Sequence, residues 1–114
     1  MRIQGVMAMV AVQNIERASR FYQEMLGFSV QDEQEDWVIF EQGVGLHVSP
    51  EPTAEVDFRI NSVMITLFVD DVRAAFNELT GKGAAFFLPP TTESGATVAT
   101  LRDTEGNLVQ IMQQ

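Results

Sequence analysis

The sequence predicts an α+β protein made of two tandem strand–helix–strand–strand–strand units. Three observations carry that prediction. Shifting the 114-residue chain by 57 positions places Val6-Met7 on Val63-Met64, Val12 on Val69, Asn14 on Asp71, Ile15 on Val72 and Ala18 on Ala75. Each half has one amphipathic helical run behind a polar capping residue. The remaining apolar runs are short, rich in Val, Ile, Phe and Thr, and bounded by Gly, Pro, Asn and Asp. Twice 57 is the whole chain, so the halves are expected as modules 1–57 and 58–114, packed as one compact domain.

The elements follow in order. Met7 to Val12 reads as the first strand. Asn14 is suited to cap a helix, because its side-chain oxygen can accept a free backbone N–H. Ile15, Ala18, Phe21, Tyr22, Met25 and Leu26 then recur at helical spacing, and Gly27 stands where a left-handed C-cap is needed. Phe28–Gln31, Trp37–Glu41 and Val44–Ser49 read as strands, the last two joined by a tight turn at Gln42-Gly43. Pro50 to Asn61 reads as a connector. The second half restarts with a strand over Val63–Val69. Asp70 or Asp71 caps a helix carrying Val72, Ala75, Phe76 and Leu79, which Gly81 and Gly83 end. Ala85–Leu88 is expected to be a short strand closed by Pro89-Pro90. Thr97–Arg102 and Leu108–Met112 are the last two, linked by the turn Asp103-Thr104-Glu105-Gly106-Asn107.

Composition excludes several classes of function. With no Cys, disulfide frameworks, thiolate nucleophiles and Cys-based metal sites are ruled out, and the single His47 rules out a multi-His site within one chain. Seven basic against sixteen acidic residues give a net charge of −9, which repels nucleic-acid phosphates. Nine acids and no base lie between Arg20 and Arg59: Glu24, Asp32, Glu33, Glu35, Asp36, Glu41, Glu51, Glu55 and Asp57. Such a run forms a solvated face or an acidic rim that steers a cation. No apolar stretch is long enough to span a bilayer, and Met1-Arg2-Ile3-Gln4-Gly5 lacks signal-peptide character, so a cytoplasmic protein is expected. No serine lies in a strand-to-helix elbow, and Gly81-Lys82-Gly83 is a helix stop with no phosphate-loop spacing.

Three segments carry a family resemblance. They are Val10-Ala11-Val12-Gln13-Asn14-Ile15-Glu16-Arg17-Ala18 with Phe21-Tyr22 and Leu26-Gly27-Phe28, then Leu67-Phe68-Val69-Asp70-Asp71-Val72, and finally Asp103-Thr104-Glu105-Gly106-Asn107-Leu108-Val109-Gln110. Their order and spacing resemble the vicinal oxygen chelate superfamily of glyoxalases, extradiol dioxygenases, fosfomycin-resistance enzymes and bleomycin-resistance proteins. The resemblance implies paired βαβββ modules whose mixed sheets curl into a half-barrel cup, with helices on the convex side and the ligand in the cup. In the enzymes a divalent metal held there acts as a Lewis acid.

Carried over residue by residue, the metal positions fall on Met7, His47, Met64 and Gln110, where the enzymes usually have His or Glu. Two thioethers, an imidazole and an amide suit hard or borderline divalent ions poorly, so neither metal nor cofactor is expected. If Met7 faces the cup, strand alternation sends Met9, Ala11, Thr66, Phe68, Thr100, Arg102 and Met112 the same way, and Trp37, Ile39 and Glu41 with them. Val38, Phe40, Ala99 and Leu101 would then pack the helices. The expected ligand-binding set is Met7, Met9, Trp37, Ile39, Glu41, His47, Met64, Thr66, Phe68, Thr100, Arg102 and Gln110, with no catalytic residue: a mostly apolar wall with a few polar points.

Each position has a plainer reading beside it. Met7 and Met64 fill the barrel or touch ligand. Trp37 packs the sheet or stacks on a ligand. His47 is a ligand-site wall, a base or a hydrogen-bonded core group. Arg102 pairs with Asp103 or meets an anionic group. The function expected from the resemblance is a metal-free small-molecule binder of the bleomycin-resistance type, sequestering a cationic or aromatic compound such as an antibiotic. The alternatives are a metal-dependent lyase or dioxygenase with atypical ligands, and a non-catalytic dimerising subunit. A homodimer is expected in each case, because a chain this short buries only about two-thirds of its unfolded surface and half-barrels expose sheet edges.

Overall fold

A computed structural model describes residues 1–48 and 64–114. The chain divides into two compact units, Met1–Ala54 and Glu55–Gln114. The expected connector, the start of the fifth strand at Val63 and the 57/58 boundary lie outside the described residues.

In the first unit, β1 (Ala8–Val12) is followed by α1 (Ile15–Arg20), β2 (Val30–Glu33), β3 (Trp37–Phe40) and β4 (Val44–Val48). The sheet order is β1-β4-β3-β2, with β1 parallel to β4 and the other pairs antiparallel. Asn14 caps α1 through its side-chain oxygen, which accepts the Arg17 N–H at 3.0 Å. The helix then widens into a π turn over Phe21–Met25. Phe21 and its neighbour Tyr22 are both buried there, their rings edge-on at 5.4 Å. Gly27 follows at φ 75°, and Phe28 N–H bonds to the Tyr22 carbonyl at 2.9 Å.

Phe28 was expected to open a strand. It is instead a core anchor: its ring lies 5.7 Å from Tyr22 and 5.6 Å from Phe40, and β2 starts two residues later at Val30. Tyr22 also meets Phe40 at 5.8 Å, so three rings join the helix to the sheet. Val12, Val38, Phe40 and Leu46 bury the same side of the sheet. The alternation i-B-i-B along Trp37–Phe40 shows which side that is.

The second unit repeats the plan. β5 (Ile65–Phe68), α2 (Val72–Gly81), β6 (Ala85–Glu93), β7 (Ala96–Arg102) and β8 (Leu108–Gln113) give a sheet in the order β5-β8-β7-β6, with β5 parallel to β8. Of the two candidate caps, Asp71 acts, accepting the Ala74 N–H at 3.0 Å. Val72 N–H donates to Gln113 Oε1 at 2.9 Å and so ties the start of α2 to the end of β8. Ala99, Leu101, Val109 and Ile111 are buried on one side, and Phe76 of α2 meets Phe86 of β6 edge-on at 4.6 Å.

One strand differs markedly from expectation. Pro89-Pro90 does not close β6, which continues to Glu93. The strand lies at the sheet edge, where a missing N–H costs no ladder bond. The register also shifts between Leu88 and Thr91, so the prolines sit in an irregularity, and a second shift falls at Phe87. A two-residue turn follows, with Ser94 at φ 52° and Gly95 at φ 82°, the two positive angles that a type I′ hairpin requires.

Among the described residues no helix is long and apolar enough to cross a membrane.

Candidate functional site

Cross-strand register defines a second, more open side on each sheet. In the first unit Met9 pairs with Gly45 and Ala11 with His47, while Ile39 pairs with Gly45 and Trp37 with His47. Residues directly opposite share a face. Met9, Ala11, Gly45, His47, Ile39 and Trp37 therefore form one continuous surface, opposite the helix-packed Val38 and Leu46. Met7 joins it from the segment before β1. The sulfurs of Met7 and Met9 both lie over Gly45: a Cβ there would stand 3.0 Å from Met7 Sδ and 2.5 Å from Met9 Sδ. Gly45 is buried beneath two methionines that are themselves 39% and 47% exposed.

Gly45 was not among the sequence candidates. Its signal was present, since an isolated glycine within the strand Val44–Val48 marks a close approach by another group. Glu41 was expected inside β3, facing inward. The strand ends at Phe40, and Glu41 is an exposed turn residue whose N–H bonds to the Ser29 carbonyl at 2.9 Å. Gly43, at φ 86°, completes that reversal.

In the second unit Thr66 pairs with Gln110, and Gln110 with Thr100. The Thr66 hydroxyl donates to Gln110 Oε1 at 3.2 Å, so the amide is already engaged by its neighbour. Phe68, opposite Met112, is 69% exposed. Met64 lies just before β5 and is half-buried, so the expected strand position is a lead-in residue. Arg102 is held inside its own unit. Its Nη1 donates to the Gly106 carbonyl at 3.2 Å, and its guanidinium lies 4.8 Å from the centre of the Phe87 ring, at the β6 irregularity.

The predicted residues thus fall into two groups, one per unit: Met7, Met9, Trp37, Ile39 and His47 in the first, and Thr66, Phe68, Thr100, Arg102 and Gln110 in the second, with Met64 at its edge. The acidic run contributes elsewhere in the first unit. A groove of about 510 Å³ runs between α1 with its π turn and the β2–β3 hairpin, lined by Glu16, Glu24, Glu33 and Glu35 with Arg20 and Gln23 among them. The acidic run supplies Glu24, Glu33 and Glu35, but their place together depends on how the helix lies across the hairpin.

The donor chemistry does not fit a divalent metal. Met7 and Met64 offer neutral thioethers, and the Gln110 amide oxygen is occupied by Thr66. Among the described residues no three His, Cys, Asp or Glu side chains gather as a metal cage.

Comparison with known proteins agrees with the fold. The profile of the Glyoxalase/Bleomycin resistance protein/Dioxygenase superfamily matches residues 4–111. The uncharacterized protein YurT of Bacillus subtilis (strain 168) is 32% identical, over 96% of this chain and 98% of its own. A protein of unknown function from Agrobacterium tumefaciens str. C58 superposes with a TM-score of 0.80 at 20% identity, covering 100% of this chain and 96% of that one. TnmS3, an antibiotic binding protein from Streptomyces sp. CB03234, superposes with a TM-score of 0.70 at 24% identity, covering 99% and 98%.

Proposed function

Since the chain belongs to the Glyoxalase/Bleomycin resistance protein/Dioxygenase superfamily, we propose that it binds and sequesters an organic small molecule, cationic or aromatic, without divalent-metal catalysis. One observation carries this reading. Where the enzymes of the family present a metal-binding side chain from the first strand, this chain lays the thioethers of two exposed methionines over Gly45, on the face shared with Trp37 and Ile39. Thioethers and an indole make a soft, polarisable wall suited to flat or greasy ligands. The net charge of −9 favours a cationic one. The likeness to an antibiotic binding protein supports the class of ligand.

In this reading each unit presents its own ligand-contacting residues: Met7, Met9, Trp37, Ile39 and His47 in the first, and Met64, Thr66, Phe68, Thr100, Arg102 and Gln110 in the second. The protein works as a homodimer. In support, Phe68, Phe87 and Leu88 are 69%, 40% and 49% exposed, apolar surface that a second copy would cover.

Calorimetric titration tests the reading with two probes, the cationic glycopeptide bleomycin and the flat aromatic cation ethidium. Saturable binding that weakens on Trp37→Ala is expected. Absence of saturable heat with both would overturn sequestration. Mass-spectrometric metal analysis tests the enzyme alternative: stoichiometric Zn, Ni, Mn or Fe, lost on His47→Ala, would establish it instead.

A further inference from the structure

We propose that Met7, Met9 and His47 form a binding site for a soft monovalent metal ion, Cu(I), with the Trp37 indole beside it. The inference goes beyond sequestration of an organic ligand. It needs residues of the first unit alone, and it includes Met9, which is not one of the four positions at which the family's enzymes hold their metal.

The geometry points there by three steps. First, two thioether sulfurs lie over the same backbone point, 3.0 Å (Met7) and 2.5 Å (Met9) from where a Gly45 Cβ would stand. Met has three rotatable bonds, so two adjacent exposed thioethers adjust to a shared ion at small cost. Second, His47 follows Gly45 by two residues on β4, on the same side of the sheet, about 7 Å along the strand. Its partner on β1 is Ala11, a small residue on the same face. Third, Trp37 is the direct partner of His47 on β3, which puts the indole on the same face of the sheet. A cation lying against an indole is attracted by the ring quadrupole.

The donor types then choose the ion. Thioether sulfur is a soft ligand that selects Cu(I), and imidazole serves copper as well. Neutral sulfur gives little to Mg, Ca or Mn, which prefer carboxylate and water. The set is therefore unsuited to the divalent Lewis acid of the enzymes and suited to a monovalent soft cation, which the acidic chain also attracts.

The test uses the whole chain, anaerobically and with ascorbate, titrated into the coloured Cu(I) complex of bicinchoninate. Transfer of one Cu(I) per chain is expected. Trp37 is the chain's only tryptophan, so its emission reports directly, and quenching should saturate at the same stoichiometry. Ag(I), a redox-inert analogue, should quench in the same way, and Zn(II) should not. Met7→Leu/Met9→Leu, changed at exposed positions, should raise the dissociation constant at least about tenfold. His47→Gln should do likewise and carries the test if the double variant unfolds. Met25→Leu, in the π turn, should bind as the parent does. The proposal falls if no Cu(I) is transferred, if transfer leaves Trp37 emission unchanged, or if both site variants keep parental affinity. Titrations with bleomycin and ethidium are run without metal, so their outcome stands apart from this one.

Discussion

Asp103 holds Asn107 twice: Oδ1 accepts its backbone N–H at 2.8 Å, and Oδ2 accepts its side-chain N–H at 2.9 Å. Oδ1 also accepts the Glu105 N–H at 2.8 Å, and Asp103 N–H donates to the Asn107 carbonyl at 2.8 Å. With Gly106 at φ 88°, this clamp fixes how β7 hands over to β8. Asp103 is almost fully buried, so Asp103→Ala strips several donors of their acceptor. The expected loss is about 1–3 kcal/mol in urea unfolding. A loss below about 0.5 kcal/mol would show that water replaces the carboxylate.

Gly45→Ala drives a methyl group toward the sulfurs of Met7 and Met9. The obstacle is the flexible end of two side chains, so stability should change by less than about 1.5 kcal/mol, while binding of the organic probe weakens. Adding Met9→Ala returns the room. A double-mutant cycle on stability should give a coupling of about 0.5–3 kcal/mol, and strict additivity would show that the thioethers do not rest on Gly45.

The two helix caps are equivalent by construction. Asn14→Ala and Asp71→Ala should each cost about 1 kcal/mol in thermal or urea unfolding. Asp71→Asn should cost much less, since an amide oxygen can take the same bond. An Asp71→Asn loss as large as that of the alanine variant would point to charge as the working part of the cap.

Phe40 is fully buried and meets Tyr22 and Phe28. Phe40→Ala should cost about 3–5 kcal/mol, because the rings around it cannot collapse into the space. Phe40→Leu should recover more than half of that. Loss of Trp37 binding signals in the alanine variant, with recovery in the leucine variant, would tie the aromatic cluster to the open face of the same sheet.

Ser94 carries a side chain at φ 52° in the β6–β7 hairpin. Ser94→Gly should raise stability by about 0.5–1 kcal/mol, since glycine takes that angle without strain. A fall instead would mean that the Ser94 side chain stabilises the turn.

What the sequence alone determined was local. Asn14 and Asp71 cap their helices through bonds that reach only three residues ahead. Gly27, Gly43 and Gly106 mark reversals that need positive φ, and Asp103 to Asn107 closes a turn within itself. Recurrence of the cap and its neighbours at a 57-residue interval, Val12 with Val69, Asn14 with Asp71 and Ile15 with Val72, set the α+β plan of two modules. Only tertiary structure decided the rest, because sheet contacts join residues far apart in the chain. It carried β6 through Pro89-Pro90, since that strand is an edge and owes no hydrogen bond there. It took Phe28 out of a strand and into an aromatic cluster, and left Glu41 exposed in a turn. Above all it brought Met7 and Met9 over Gly45, some thirty-six residues further on, because the register of β1 on β4 is set by burial of the opposite side, by Val12, Leu46, Val38 and Phe40.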